Sequence, residues 1–208
     1  DVTHPFLRNR CYGGDVATVA RVGRAVADGL LAGGVLPVVK HMPGHGRSVN
    51  DTHHDLPTVT TDRATLWATD FAPFRALADL PMAMTAHIIF KAYDPDNPAT
   101  QSAEMIRVIR EEIGFSGLLM TDDLNMQALA GTLFERTARS MAAGCDIALH
   151  CKGDFAEMQA VARAAGDMTD AARTRAAAAL ARRATPKPVD IAALEAEFSA
   201  LLGETRNG

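Results

Sequence analysis

Three observations predict an α/β fold with a parallel sheet. Short, mainly apolar runs recur along the chain, a helix-like stretch separates each from the next, and Gly or Pro marks the junctions. Strands that are apolar throughout and alternate with helices imply a parallel sheet covered on both faces, either doubly wound or closed into a barrel. In either case reactive side chains belong just beyond the C-terminal ends of the strands.

The elements follow in order. A helix is expected over 15–31, where Val16, Val19, Ala20, Val22, Ala27, Leu30 and Leu31 recur at helical spacing before Gly33 and Gly34 stop the pattern. Val35-Leu36-Pro37-Val38-Val39 then reads as a buried strand. Residues 66–80 form the next helical stretch, and 81–86 a strand ending near His87-Ile88-Ile89. A helix over 102–113 is stopped by Gly114, a strand follows over 116–121, a helix over 132–143 and a strand over 145–149. After Gly153 the pattern is helical only, over 154–165, 168–184 and 189–202. Residues 1–208 are therefore expected to form one domain, with 154–208 as its outer and capping helices.

Composition narrows the function. The chain of 208 residues is 48% hydrophobic and 22% charged, enough apolar material for one core. Its net charge of −4, with no basic block to follow a phosphate backbone, excludes nucleic acid as the expected partner. No apolar run reaches the roughly 18 residues of a membrane-spanning helix. Cys11, Cys145 and Cys151 are an odd number in no metal-binding spacing, as expected of ordinary thiols in a reducing compartment. The chain opens at Asp1 without an initiator Met, so segments upstream are expected to be missing. Four further βα units of about 30 residues, roughly 120 in all, would complete an eight-stranded barrel.

The densest chemical signal follows the first strand: Lys40-His41-Met42-Pro43-Gly44-His45-Gly46-Arg47, then Asn50-Asp51-Thr52-His53-His54-Asp55-Leu56-Pro57. Four of the seven histidines lie in this loop, and Pro43, Gly44 and Gly46 bar a helix. Asp51 and His53 stand at i and i+2, on one side of an extended segment, where a carboxylate can set the tautomer of an imidazole that exchanges a proton. The alternatives are a simple turn around Thr52, or a zinc site built from His41, His45, His53 and Asp51, which no standard ligand spacing supports. A second signal is Thr121-Asp122-Asp123-Leu124-Asn125-Met126. Paired carboxylates at the end of an apolar strand are costly to bury unless used or hydrogen-bonded, so one is a candidate nucleophile or base and the other an anchor or cap. Lys40 can be read as a Schiff-base lysine or a hydroxyl-binding group.

These motifs carry a resemblance. Lys40-His41-Met42-Pro43-Gly44-His45-Gly46 with Asp51-Thr52-His53 and Leu56-Pro57 resembles the KHFPGHG, DSH and LP signature of family 3 glycoside hydrolases of the bacterial β-N-acetylglucosaminidase type. The segment 117–126 resembles that family's nucleophile segment. Asn9-Arg10-Cys11-Tyr12-Gly13 and Thr85-Ala86-His87-Ile88 are similar to two further elements, in family order. Met42, Thr52 and Tyr12 are variants of the pattern, and His54-Asp55 sets a second imidazole beside His53.

The resemblance implies a (β/α)8 TIM-type barrel, present here as its C-terminal half plus terminal helices. It also implies retaining hydrolysis of terminal β-linked N-acetylglucosamine without a cofactor or metal. By position Asp122 would be the nucleophile and His53 the acid and then base, held by Asp51. Arg10, Lys40 and His41 would bind sugar hydroxyls, and Asp123 has no assigned role. The implied substrate is a small carbohydrate, an N-acetylglucosaminyl anhydromuropeptide of peptidoglycan recycling, in the cytoplasm, with no nucleic acid or membrane partner. A half barrel has two open sheet edges, so poor folding, pairing with the missing half or self-association is expected. Rival readings are a family 3 enzyme of other specificity, such as an N-acetylglucosamine phosphorylase, a zinc hydrolase, and a non-catalytic sugar-binding fragment.

Overall fold

The computed structural model describes residues 10–48, 56–186 and 188–204. Helix α1 (Val16–Ala32) begins where the Asp15 carboxylate accepts the Thr18 N–H at 2.8 Å and ends at Gly33, with Gly34 at φ 76° turning the chain away. Strand β1 (Val38–Met42) follows. It starts later than the expected 35–39 because Pro37 has no N–H for the ladder, and it runs on through Lys40 and His41. The expected helix over 66–80 is two short ones, α2 (Arg63–Ala68) and α3 (Ala72–Ala76). Pro73 causes the break, since its ring excludes a continuous turn but suits the first turn of a new helix.

Strand β3 (Met82–Thr85) leads, through a 3-10 turn at Ala99–Gln101, to α4 (Ala103–Arg107), which Ser102 caps and a π-helical turn, Val108–Glu112, extends. Strand β5 (Leu118–Asp123), α5 (Leu133–Ala143) and β6 (Ile147–Leu149) follow. Thr132 and Glu135 close a reciprocal capping box at the start of α5, and Gly144, at φ 112°, ends it. Three helices finish the described chain: α6 (Phe155–Ala165), α7 (Asp170–Ala181) and α8 (Ile191–Glu204). The strand expected to end near Ile89 stops at Thr85, and Ile89 instead starts a separate strand, β4 (Ile89–Phe90), which pairs in parallel with an unexpected β2 (Thr58–Val59) apart from the main sheet. Two residues are too few to show a period.

The main sheet has the order β1-β3-β5-β6, all parallel, with Val38 opposite Met82, Ala83 opposite Leu119, and Met120 opposite Ile147. Spatial order equals chain order, without the reversal that defines a doubly wound sheet. Right-handed crossovers running in one direction place their helices on one face. Of the two expected alternatives, doubly wound or closed into a barrel, the sheet has the single winding of a barrel wall. The core between sheet and helices includes Leu66, Phe71, Phe90, Met105, Ile109, Phe115 and Leu119, all fully buried, each stabilising the fold by about 1.5–3 kcal/mol.

At the N-terminal end of the sheet, Asp146 accepts hydrogen bonds from the Leu119 N–H (2.9 Å), Arg110 Nη2 (2.7 Å) and Arg175 Nη1 (2.7 Å). Arg110 also donates to the carbonyls of Phe115 and Gly117, tying the loop before β5 to the π-helical turn. By contrast α8 leaves Ile191, Leu194, Phe198 and Leu201 exposed. Among the described residues no helix is long and apolar enough to cross a membrane.

Candidate active site

At the opposite, C-terminal end of the sheet three adjacent strands deliver polar side chains to one place. His41 comes from β1, His87 from the segment after β3, and Asp122 from the C-terminal end of β5. Because β1 and β5 flank β3, His41 reaches across the end of β3, and its Nε2 lies 3.4 Å from Asp122 Oδ2. The peptides Lys40–His41 and Met42–Pro43 are cis. Met42 still keeps its place in the sheet, its carbonyl accepting the Ala86 N–H at 2.8 Å. His45 follows in the loop, its ring edge-on to His41 with centroids 5.3 Å apart. The loop is held from outside by Arg47, whose Nε donates to Asp70 Oδ2 at 2.7 Å and whose Nη2 donates to Thr69 Oγ1 at 3.1 Å.

The two adjacent aspartates differ sharply. Asp122 turns one oxygen to its neighbour's backbone, accepting the Asp123 N–H at 2.8 Å, and the other toward His41. Asp123 spends its Oδ1 on the N–H groups of Asn125 and Cys151, both at 3.1 Å, and so laces the end of β5 to the segment after β6. The next segment is fixed by Arg136 of α5, whose Nη1 donates to the carbonyls of Leu124 and Met126. On the β6 side an open cavity of about 390 Å³ is lined by Asp123, Asn125, Met126, Gln127, Cys151 and Lys152.

Burial is the main electrostatic influence on the imidazoles. It lowers His41 to about 4, although the Asp122 carboxylate pulls the other way and the neighbouring His45 and Lys40 reinforce the fall. Burial also lowers His45 and His87 from their ordinary value. Near neutral pH the carboxylate of Asp122 therefore stands among neutral imidazoles, which can donate or accept hydrogen bonds without cancelling its charge.

Of the site residues expected from sequence, His41 and Asp122 are brought together. Lys40 is exposed on β1, and Arg10 is exposed at the start of the described residues. Asp51, His53 and His54 lie outside the described residues. Among the described residues no three or more His, Cys, Asp or Glu side chains converge as a metal-ligand set. His87 was visible in sequence only as part of a motif. Its position just past an apolar strand was the signal that could have placed it in the site.

Comparison with known proteins adds the decisive observation: residues 1–182 match the glycosyl hydrolase family 3 N-terminal domain. The chain belongs to glycosyl hydrolase family 3. Its single-wound sheet and helices are an arc of that family's TIM-type barrel. A relative named beta-hexosaminidase from Bordetella pertussis is 33% identical over 155 residues, covering 73% of this chain and 44% of that protein. Another beta-hexosaminidase, from Alkalilimnicola ehrlichii, is 40% identical over 150 residues, covering 70% and 43%. The solved family 3 beta-N-acetylglucosaminidase from Paenibacillus sp. superposes with a TM-score of 0.79 at 32% identity, covering 90% of this chain and 39% of that one. The chain thus spans less than half the length of these relatives.

Proposed function

We propose that this family 3 protein is a retaining exo-β-N-acetylglucosaminidase, acting on terminal β-linked N-acetylglucosamine. The observation that carries the reading is the asymmetry of the aspartate pair: Asp122 faces His41 at the strand end, while Asp123 is occupied in holding loops. The names of the relatives, beta-hexosaminidase and beta-N-acetylglucosaminidase, support the sugar.

In the first step a carboxylate oxygen of Asp122 attacks the anomeric carbon as the bond to the leaving-group oxygen breaks. Protonated His53, held by Asp51, gives that oxygen a proton. In the second step neutral His53 takes a proton from water, the water oxygen attacks the same carbon, and the ester to Asp122 breaks with net retention. The carboxylate-separation rule for retaining enzymes applies to Asp/Glu pairs and has no bearing on an imidazole acid. His41, Lys40 and Arg10 orient the sugar through hydroxyl hydrogen bonds, the charged pair contributing the stronger ones. The substrate in this reading is an N-acetylglucosaminyl anhydromuropeptide released in peptidoglycan recycling, and the compartment is the cytoplasm.

The test is intact-mass and peptide mapping after reaction with a fluorinated, slow-turnover β-N-acetylglucosaminyl fluoride. One sugar adduct on Asp122 is expected. An adduct on Asp123, or none from folded protein, overturns the assignment. Product analysis with and without phosphate separates hydrolysis from phosphorolysis.

A further inference from the structure

His87 is a buried imidazole near Asp122, with 1% of the residue exposed. Burial of a polar ring needs hydrogen-bond partners, and this one has two. Its Nδ1 lies 2.8 Å from Thr100 Oγ1, and its Nε2 lies 3.1 Å from the carbonyl oxygen of Asp123. That carbonyl belongs to the Asp123–Leu124 peptide, whose N–H donates to Leu149 O of β6 at 3.0 Å. One peptide, the first beyond Asp123, is therefore held at both ends: by His87 from the β3 side and by the backbone of β6 from the other.

Donor counting at the Asp123 carbonyl assigns the ring. A carbonyl oxygen only accepts, so Nε2 carries a hydrogen in either charge state. Burial lowers the pKa of the ring and so favours its neutral form, in which Nδ1 accepts from the Thr100 hydroxyl. Thr100 has one proton and two acceptors in reach, His87 Nδ1 and the Ala86 carbonyl at 3.0 Å, while Thr85 Oγ1 at 2.8 Å can donate to Thr100 in turn. The Thr85–Thr100 pair thus serves as a buried orienting group for the imidazole, which explains two buried hydroxyls at the sheet's C-terminal end.

We propose that His87 is a positioning residue for the reaction: through Nε2–H to the Asp123 carbonyl it clamps the peptide after the aspartate pair and so aims the Asp122 carboxylate. This rests on the reading of Asp122 as nucleophile. A residue with this role acts in the chemical step and contributes little to sugar binding, because it contacts backbone and not substrate. A glutamine can place its amide N–H where Nε2–H stands, whereas a leucine fills the space and donates nothing.

The experiment compares the parent protein with His87→Gln and His87→Leu. It measures kcat and KM on an aryl β-N-acetylglucosaminide, amide hydrogen exchange at Leu124, and the tautomer of His87 in the parent by 15N NMR. His87→Leu is expected to lower kcat by roughly 10- to 100-fold with KM within about twofold, the scale of a misaimed reacting group. His87→Gln is expected to recover most of that loss. Leu124 should exchange faster in His87→Leu only, and the parent ring should carry its hydrogen on Nε2. Equal kcat in parent and His87→Leu, equal loss in both variants, or a loss confined to KM would overturn the proposal. An Nδ1–H tautomer would overturn it even if neither variant folds. If the folded parent turns over no β-N-acetylglucosaminide, the functional reading fails instead, and the clamp is judged on Leu124 exchange and the tautomer alone.

Discussion

Two aspartates at opposite ends of one sheet show how a strand scaffold divides its labour. Asp146, at the N-terminal end, has a side chain only 3% exposed, with two guanidinium groups and a backbone N–H on its two oxygens. Asp122, at the C-terminal end, has a side chain 19% exposed, one backbone N–H and a neutral imidazole at 3.4 Å. The first carboxylate has little capacity left for a ligand. The second has no guanidinium contact among the described residues and is partly exposed. The fold thus consumes the lone pairs of one aspartate and leaves those of the other largely free, as the proposed nucleophile requires.

The sharpest way to break that contrast is to exchange effects. Asp122→Asn is expected to reduce kcat by at least about 10³-fold, the scale for loss of a nucleophile, while thermal stability stays close to the parent. Asp146→Ala should do the reverse. It leaves Arg110, with a side chain 15% exposed, without its carboxylate, and breaking a buried pair in this way costs about 3–5 kcal/mol. Urea unfolding should show the loss, and kcat measured well below the transition should be near that of the parent. Loss of activity without loss of stability in Asp146→Ala would place that residue in the reaction.

The imidazoles allow a subtler comparison, by pH. His41 in the folded protein is lowered to about 4 from its ordinary 6.5, so the unfolded chain binds its proton first as pH falls. Stability due to this ring is complete above about 6.5 and is lost progressively toward 4, by on the order of 3 kcal/mol. His45 and His87, lowered by burial too, add to the same trend. Replacing His41 with Gln should flatten this part of the curve of unfolding midpoint against pH. An unchanged slope would mean that other groups carry the acid sensitivity.

How much of this was legible in the sequence follows from where each signal resides. Apolar runs and stop residues located the four main strands and nearly every helix, because burial and capping act on neighbours in the chain. Pro37 and Pro73 shifted or split elements, an effect of one missing N–H that a count of apolar positions overlooks. Asp122 and His41 were legible as strand-end polar residues. What Asp123 does was not, since its partners include Cys151, twenty-eight positions away. His87 stayed hidden for the same reason: its partners, Thr100 and the Asp123 carbonyl, are brought to it only by β3 lying beside β5.

The smallest expected effect tests whether proximity to the reactive end is itself enough for function. Thr132 stands at the start of α5, on the same end of the sheet as Asp122, yet its hydroxyl and N–H are engaged with Glu135 in a capping box. Thr132→Ala removes one helix-end partner and should cost about 1 kcal/mol. For a chain of this length that lowers the thermal midpoint by roughly 2–4 °C. Because α5 also carries Arg136, which holds the carbonyls after β5, a loosened first turn has a path to the site. Only if the helix start moves Arg136 would kcat change. The expected result is a lower midpoint with kcat unchanged, because Arg136 lies a full turn inside the helix and the intrahelical ladder holds it after the cap is lost. A fall in kcat at a temperature where the protein is fully folded would show that the carboxylate end of the sheet is aimed by the helix layer as well as by His87.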